Sequence, residues 1–193
     1  MKIICIVGKS GSGKTYIAER FRHHPKYHLL DSWTTRPPRE EGEKGHQYTT
    51  IEELGLDELS VEDQIEVLKN TAVSYTYFND NHYFIRYADL SPDKPSIFVV
   101  DEDGVEYLRQ RLPWVETEVW SIESSEPDRF MNMLNRGDHI DKIRERLEWD
   151  KNREVHKFSD FIINDSTYGY DAITSKWKRW KLKRKGIVKV NKV

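Results

Sequence analysis

The sequence has a single cysteine, Cys5, and it has no long hydrophobic stretch. One cysteine excludes an internal disulfide bond and a metal site built from several cysteines. The longest apolar runs, residues 3–7 and 97–100, are too short to span a bilayer. A cleavable signal peptide is not expected, because a strand that begins at Lys2 leads directly into a functional-looking loop. These absences predict a soluble cytoplasmic protein with no membrane partner.

Charge is distributed unevenly along the 193 residues. The net charge is −2 at pH 7, but the segment from Lys176 onward contains nine basic residues and no acidic residue. The part before Lys176 is therefore acidic and shows no sign of a nucleic-acid-binding surface. We predict that residues 186–193 form a basic tail that is solvated or touches this acidic body. Nucleic acid is not expected as a partner, because no aromatic residue follows Trp180 to stack on bases.

Apolar runs alternate with helical patterns along the chain. This alternation favours an α/β fold with a parallel sheet and helices on both faces. Residues 73–78 and 83–87 flank an Asn-Asp-Asn turn and predict a hairpin. The other predicted strands are 2–7, 27–30, 96–100, 118–122 and 161–163. The predicted helices are 15–24, 51–70 in two pieces, 104–111, 127–157 with a break near Gly137, and 170–182.

Residues 8–15 match the phosphate-binding loop G-x-x-x-x-G-K-[ST] at every fixed position. The glycines let backbone N–H groups turn toward phosphate oxygens at the N-terminus of a helix. Lys14 reaches the β- and γ-phosphates of ATP, and the Thr15 hydroxyl binds Mg²⁺. A chance turn is disfavoured because the required strand and helix flank the loop. The predicted ATP-binding residues here are Gly8, Ser10, Gly11, Ser12, Gly13, Lys14 and Thr15.

The P-loop alone fits an ATPase, a GTPase or a small-molecule kinase. GTPases need a base-reading N/T-K-x-D motif, which this sequence lacks. A second motif covers residues 31–39. In it, Arg36 and Arg39 stand three residues apart with two prolines between them. Such a stiff pair of guanidinium groups suits the dianionic phosphate of a second substrate. A turn over residues 42–48 is then expected to bring Tyr48 back beside these two arginines.

These motifs resemble those of the guanylate kinase family, S-x-T-T-R-x-P-R followed by G-E-x-x-G-x-x-Y. The resemblance implies a three-layer P-loop fold with a mobile monophosphate-binding region and a helical lid. It also implies Mg²⁺-dependent transfer of a phosphoryl group from ATP to a nucleoside monophosphate, most simply GMP or dGMP. By the same resemblance, Ser32, Arg36, Arg39 and Tyr48 bind the phosphate of the acceptor.

The resemblance further implies contacts with the acceptor base. The family binds guanine through a glutamate and an aspartate, whose counterparts here are Glu66 and Asp101. A carboxylate accepts hydrogen bonds from the N–H groups on the Watson–Crick edge of guanine. Glu66 precedes Tyr75 by the family spacing, which makes Tyr75 a second phosphate-binding tyrosine, with Tyr77 as the alternative. Asp101 is also a candidate Mg²⁺ ligand, because it ends a buried strand beside the P-loop.

The helical stretch before the last strand resembles the lid of the family. Arg136 precedes a glycine and Arg146 follows ten residues later, so these two residues and Lys14 are the predicted catalytic residues. Guanidinium groups that converge on the transferred phosphoryl group stabilise its spread negative charge. Asn164 matches a loop that borders the donor adenine. The implied regions are a core of residues 1–31, 95–126 and 158–185, a monophosphate-binding region of residues 32–94, and a lid of residues 127–157.

Two other functions remain open from the sequence. One is a kinase of the same fold that phosphorylates another (deoxy)nucleotide or a sugar phosphate. The other is a catalytically silent, guanylate-kinase-like interaction module. Such modules tend to lose the P-loop, which is intact here.

Overall fold

The computed structural model describes residues 1–191, which form two β-sheets and the helices around them. The strands are β1 (Lys2–Gly8), β2 (His28–Leu29), β3 (Ser32–Thr34), β4 (His46–Tyr48), β5 (Ala72–Phe78), β6 (Asn81–Arg86), β7 (Ser96–Val99), β8 (Glu116–Ile122), β9 (Phe161–Ile163) and β10 (Val188–Val190). The helices are α1 (Lys14–Glu19), α2 (Val61–Thr71), α3 (Glu102–Arg111), α4 (Glu126–Asn135), α5 (Ile140–Asp150), α6 (Gly169–Thr174) and α7 (Lys176–Arg184). Short 3-10 turns cover Tyr87–Asp89 and Ser166–Tyr168.

The larger sheet has the strand order β10-β9-β8-β1-β7-β2 and is parallel except at β10. Side chains of the central strand β1 alternate between its two faces. Ile3 and Cys5 pack with residues of α3 on one face, and Ile4 and Ile6 pack with residues of α1, α6 and α7 on the other. Both faces of the sheet are therefore covered, which explains why its strands are continuous apolar runs. The predicted α/β fold is confirmed.

The smaller sheet has the order β4-β3-β6-β5 and is built from residues 32–86. β5 and β6 form the predicted hairpin, in which Phe78 pairs with Asn81. The two turn residues, Asn79 and Asp80, have φ values of 47° and 56°. Positive φ at both positions is typical of a type I′ turn, whose twist matches that of the strands. Strands β3 and β4 were not predicted, because the motifs that contain them were interpreted as loops.

Four predicted helices differ from the structure in their bounds. α1 ends at Glu19 and not at residue 24, and α5 ends at Asp150, before the predicted end of that helical stretch at residue 157. The helix predicted for residues 51–70 begins only at Val61, where the Ser60 side chain accepts a hydrogen bond from the Asp63 N–H. The helix predicted for residues 170–182 is divided into α6 and α7 at Ser175. Ser175 has an extended backbone, and its hydroxyl accepts a hydrogen bond from the Lys178 N–H. A serine in this geometry caps a new helix, so the continuous helix was wrong.

The prediction of a basic tail over residues 186–193 requires correction. Val188–Val190 is an edge strand that pairs antiparallel with β9, and the Val188 side chain is buried in the core. The alternation of apolar and basic residues directs Val188 inward and leaves Lys189 exposed. Residues 192 and 193 of the predicted tail lie outside the described residues. Among residues 1–191, we find no helix that combines the length and the apolar character needed to cross a membrane.

The buried position of Val188 leads to a stability prediction. Val188→Ala should lower the free energy of unfolding by about 2 kcal/mol, because it removes two methyl groups from a site that is 2% exposed. For a chain of this size the melting temperature should fall by roughly 4–8 °C. Lys189→Ala, on the exposed face of the same strand, is the control and should melt like the parent. Equal melting temperatures for both variants would contradict the placement of β10.

Candidate active site

A cavity of about 670 Å³ lies between the P-loop, the smaller sheet and the α4–α5 segment. It opens at the ends of β1 and β7, where loops follow the parallel strands. Of the residues predicted from the sequence, ten line this cavity. They are Gly8, Ser10, Lys14, Thr15, Ser32, Arg36, Arg39, Asp101, Arg136 and Arg146.

The P-loop runs from the end of β1 to the start of α1. Gly11 has a φ of 75°, and a Cβ there would lie 2.5 Å from the backbone oxygen of Arg129. Gly13 has a φ of 95°, and a Cβ there would lie 2.8 Å from the side chain of Ser166. Both positions require glycine for conformation and for space. Gly11, Ser12 and Gly13 thus shape the loop, although they are not among the residues that line the cavity.

The Lys14 ammonium group is turned onto its own loop. Its Nζ donates to the backbone oxygens of Gly8 at 2.7 Å and Lys9 at 2.9 Å. Burial, followed by the charge of Arg153, lowers the pKa of Lys14 to about 8. An anion bound at Nζ would favour the charged form and raise this pKa.

This shift predicts proton uptake on nucleotide binding. At pH 8 about half of the free protein carries a neutral Lys14, so binding of Mg-ATP should take up about half a proton. At pH 6.5 Lys14 is already charged, and the uptake should be close to zero. Titration calorimetry in two buffers of different ionisation enthalpy measures the difference. Lys14→Met is the control, and an unchanged uptake in that variant would assign the proton to another group.

Basic side chains line the second end of the cavity, near β3 and β4. Arg36 donates two hydrogen bonds to Glu43, at 2.9 and 3.1 Å, and Arg39 donates to the same carboxylate at 2.9 Å. Burial alone would raise the pKa of Glu43, but the bonds from the two arginines outweigh it and hold the pKa at about 2. Glu43 therefore stays ionised and keeps both guanidinium groups together. Arg36 Nε is buried without a partner among the described residues.

Ser32 and His46 form a pair at this end of the cavity. Ser32 Oγ and His46 Nδ1 are 2.8 Å apart and share a hydrogen bond. Burial, followed by the charge of Arg36, lowers the pKa of His46 to about 4. His46 is therefore neutral at pH 7 and adds no charge beside the two arginines. The guanidinium carbon of Arg36 lies 5.7 Å from the ring centre of Tyr48. Tyr48 itself is not among the residues that line the cavity.

The residues Tyr75 and Glu66, which are predicted to contact the substrate, do not line the cavity. Side chains alternate along β5, so Ser74 and Phe78 line the cavity, whereas Tyr75 faces the opposite side. The Tyr75 hydroxyl shares a 2.8 Å hydrogen bond with His82, and its ring packs in the core beneath α2. Tyr77 lies on the same face of β5 as Tyr75 and is also not among the cavity residues. Glu66 lies on the exposed surface of α2 and is not among the cavity residues.

Tyr83 is the tyrosine that the hairpin brings to the cavity instead. It pairs with Thr34 across β3 and β6, and its ring centre lies 5.8 Å from that of His46. Sequence spacing missed Tyr83 because the register of the hairpin, which decides the direction of each side chain, depends on the position of the turn.

Asp101 lies at the end of β7 and begins α3. Its Oδ1 accepts hydrogen bonds from the Thr76 hydroxyl at 2.6 Å and from the Gly104 N–H at 2.9 Å. Its Oδ2 has no partner among residues 1–191. Burial raises the pKa of Asp101 above its usual value. Ser74 is near this carboxylate, because its hydroxyl donates to the Gly104 carbonyl.

The donor atoms present fit Mg²⁺. This ion is typically held by one or two protein side chains together with phosphate oxygens and water. The Thr15 hydroxyl and the Asp101 carboxylate line the same cavity and supply that donor set. A metal cage made of protein side chains alone is not expected, since residues 1–191 contain no group of three or more His, Cys, Asp or Glu side chains that could hold a metal.

The two predicted lid arginines meet at Asp138. Arg136 donates to both oxygens of this carboxylate, with a 2.9 Å contact from Nε, and Arg146 Nη1 donates to Oδ2. Burial would raise the pKa of Asp138, but the bond from Arg136 and the charge of Arg146 lower it. Asp138 thus holds the two guanidinium groups side by side at the rim of the cavity.

A buried ion-pair network joins the lid to the P-loop, and the sequence analysis did not identify it. Asp150, fully buried at the end of α5, accepts a 2.8 Å hydrogen bond from the Ser10 N–H and a 2.7 Å bond from Arg129. Arg153 donates to the other oxygen of Asp150 at 2.8 Å. These partners lie far apart in the sequence, so no local pattern signals them. The end of α5 is therefore anchored to the P-loop.

Two further placements concern the edges of the site. The ring centre of Trp149 on α5 lies 4.8 Å from that of Phe78 at the tip of the hairpin, so the lid touches the smaller sheet. Asn164 does not line the cavity, and its side chain donates to the Gly186 carbonyl at 3.2 Å. In the same loop, the side chain of Ser166 faces Gly13 of the P-loop.

Comparisons with known proteins bear on both the sequence and the fold. A guanylate kinase from Lawsonia intracellularis (strain PHE/MN1-00) is 26% identical over 187 residues, which cover 94% of this chain and 86% of the relative. The crystal structure of guanylate kinase from Anaplasma phagocytophilum is 16% identical, covers 93% of this chain and 85% of that chain, and superposes with a TM-score of 0.55. No model of a protein family matches the chain.

An unliganded sugar kinase from Janibacter sp. HTCC2649 covers 97% of the chain at 14% identity, but its TM-score of 0.44 is too low to support an argument. The structural likeness to guanylate kinase shows a shared fold, and the sequence likeness runs along nearly the whole chain. The P-loop and the Arg36–Arg39 motif, which resemble this family in the sequence, both contribute residues to the cavity. The chain is therefore similar to guanylate kinases, which are nucleoside monophosphate kinases, in sequence along nearly its whole length and in fold.

Proposed function

We propose that the chain transfers the γ-phosphoryl group of ATP to GMP or dGMP, giving ADP and the nucleoside diphosphate. The observation that carries the proposal is a single cavity that contains Lys14 of the P-loop at one end and Arg36 and Arg39 at the other. Two phosphorylated substrates can therefore meet with their phosphates between cationic groups. The lid arginines Arg136 and Arg146 line the same space.

The chemistry requires the acceptor phosphate to approach the γ-phosphorus in line. An oxygen of the acceptor phosphate forms a bond to the γ-phosphorus as the bond to the β–γ bridging oxygen breaks, and ADP leaves with that electron pair. Arg36 and Arg39 hold the acceptor, and a phosphate group would satisfy the unpaired Arg36 Nε. Mg²⁺ held by Thr15 and Asp101 would neutralise charge on the β- and γ-phosphates.

Guanine is supported by Asp101 and by the name of the curated relative. The unpartnered Oδ2 of Asp101 can accept a hydrogen bond from a guanine N–H group. The guanine contact predicted for Glu66 is not part of this proposal, because Glu66 lies outside the cavity. That absence leaves a kinase for another (deoxy)nucleotide or a sugar phosphate as the second candidate.

The test is a coupled assay of ADP formation with each common nucleoside and deoxynucleoside monophosphate, and with sugar phosphates. The proposal expects GMP and dGMP to give the highest kcat/KM. A higher kcat/KM for an acceptor of another class would replace the guanine nucleotides as the proposed substrate. It would leave the kinase assignment intact. Binding of both substrates without ADP formation would instead indicate a silent interaction module.

Asp101→Asn should reduce the preference for GMP over AMP. Asparagine can still cap α3, so the fold should be retained, but its amide can turn to donate and no longer disfavours adenine. We expect the GMP/AMP ratio of kcat/KM to fall by about 10-fold or more. Asp103→Asn is the matched control, since Asp103 is exposed in the first turn of the same helix. An unchanged ratio with a higher Mg²⁺ requirement would assign Asp101 to the metal alone.

A further inference from the structure

Arg153 is a cavity residue that lies outside the motifs identified in the sequence. It follows the last residue of α5 by three positions, and its side chain is 16% exposed. It lines the same cavity as Ser10 and Lys14 of the P-loop. Arg153 therefore brings a further positive charge to the donor end of the cavity.

Three contacts fix the Arg153 guanidinium group. Nη1 donates to Asp150 and Nη2 donates to Glu102, while the guanidinium carbon lies 4.4 Å from the ring centre of Trp149. Glu102 directly follows Asp101 at the end of β7, and Asp150 also accepts the Ser10 N–H. The guanidinium group is consequently held between the start of α3 and the end of α5, and one of its partners, Asp150, also bonds the P-loop.

Arg153 also retains hydrogen-bond donors for a ligand. A guanidinium group carries five N–H donors, and the two carboxylates use two of them. After burial, the charge of Arg153 is the strongest influence that lowers the pKa of Lys14. Two cations held near each other repel, and an anion bound between them would relieve that repulsion. The pair of Arg153 and Lys14 thus has the chemistry of a phosphate site.

We propose that Arg153 contacts the γ-phosphate of ATP beside Lys14 and is a third catalytic arginine in addition to Arg136 and Arg146. The catalytic part of this inference rests on the proposed kinase function. The contact with the γ-phosphate does not, because it requires only that ATP binds.

The contact is tested by measuring Mg-ATP and Mg-ADP affinities with titration calorimetry. In Arg153→Met the affinity for ATP should fall by at least about 10-fold, while the affinity for ADP, which has no γ-phosphate, should change by less than about 3-fold. Arg144→Met is the matched control, because Arg144 is 73% exposed on the same lid and should leave both affinities unchanged. Equal losses for ATP and ADP, or no loss, would overturn the contact.

The catalytic role is tested by kcat in the parent and in both arginine variants. Arg153→Met should lower kcat by about 100-fold or more, and Arg153→Lys should restore part of it, because lysine keeps the charge but not the fork of donors. If Arg153→Met melts below the assay temperature, Arg153→Lys should still show an ATP-selective loss of affinity, and its absence would refute the proposal. If the parent phosphorylates no acceptor but ATP selectivity still depends on Arg153, the proposed kinase function fails and the phosphate contact stands.

Discussion

Lys14→Ala is expected to lower kcat by at least about 1,000-fold. The transferred phosphoryl group develops negative charge on its oxygens, and Lys14 is the P-loop cation placed to stabilise it. Within residues 1–191 its Nζ bonds only to two carbonyl oxygens of its own loop, so the folded structure should survive the change. Steady-state kinetics and a melting curve on the same preparation measure both effects.

Lys9→Ala supplies the control for this experiment. Lys9 belongs to the same loop, but its side chain is not among those that line the cavity. Its removal should leave kcat within a few-fold of the parent. Near-normal turnover by Lys14→Ala, with a melting temperature like that of the parent, would refute the kinase assignment itself.

Arg39→Ala should raise the KM for the monophosphate by roughly 10- to 150-fold, with little change in the KM for ATP. The loss of one charge-assisted pair with a phosphate costs about 1.5–3 kcal/mol. Arg36 remains paired with Glu43 in this variant, so the local structure should be preserved. The selective effect follows from the position of Arg39 at the acceptor end of the cavity, away from the P-loop.

Lys44→Ala tests whether any positive charge in this loop would have the same effect. The Lys44 side chain is exposed and lies outside the cavity, so both KM values should stay close to those of the parent. An equal rise of the two KM values in Arg39→Ala would show that Arg39 does not bind the acceptor selectively.

The parts of the site that could be predicted from the sequence are those in which neighbouring residues act together. The P-loop is such a case, because its glycines, Lys14 and Thr15 are fixed relative to one another by one turn between a strand and a helix. Arg36 and Arg39 also line one cavity, and the two prolines between them limit the backbone. In both cases the chemistry is contained within a few consecutive residues.

The residues that could not be predicted depend on register or on distant partners. Tyr75 was chosen by spacing from Glu66, but β5 begins directly after α2 and its alternation turns Tyr75 into the core. Tyr83 reaches the cavity only because the turn at Asn79 and Asp80 has two residues. A shift of one residue would reverse every side chain of the hairpin.

The edge strand β10 and the ion-pair network around Asp150 show that residues with distant partners could not be predicted. The Val-Lys-Val pattern of β10 is too short to distinguish a strand from a tail, and its pairing with β9 provides the missing information. Asp150 and Ser10 are 140 positions apart, and Arg153 and Glu102 are 51 apart. Contacts of that separation are decided by how the sheet and helices pack, which composition and periodicity do not specify.

The buried pair of Arg129 and Asp150 constrains how this chain can evolve. Losing Asp150 alone leaves the buried Arg129 guanidinium group without its carboxylate, at a cost of about 3–5 kcal/mol, and also removes an acceptor from Arg153 and from the Ser10 N–H. That change would consume a large share of the roughly 5–15 kcal/mol that keeps a typical domain folded. Loss of Arg129 is less severe, because Arg153 still pairs with Asp150. In homologous chains the acidic residue at position 150 should consequently be lost only together with the arginine at position 129.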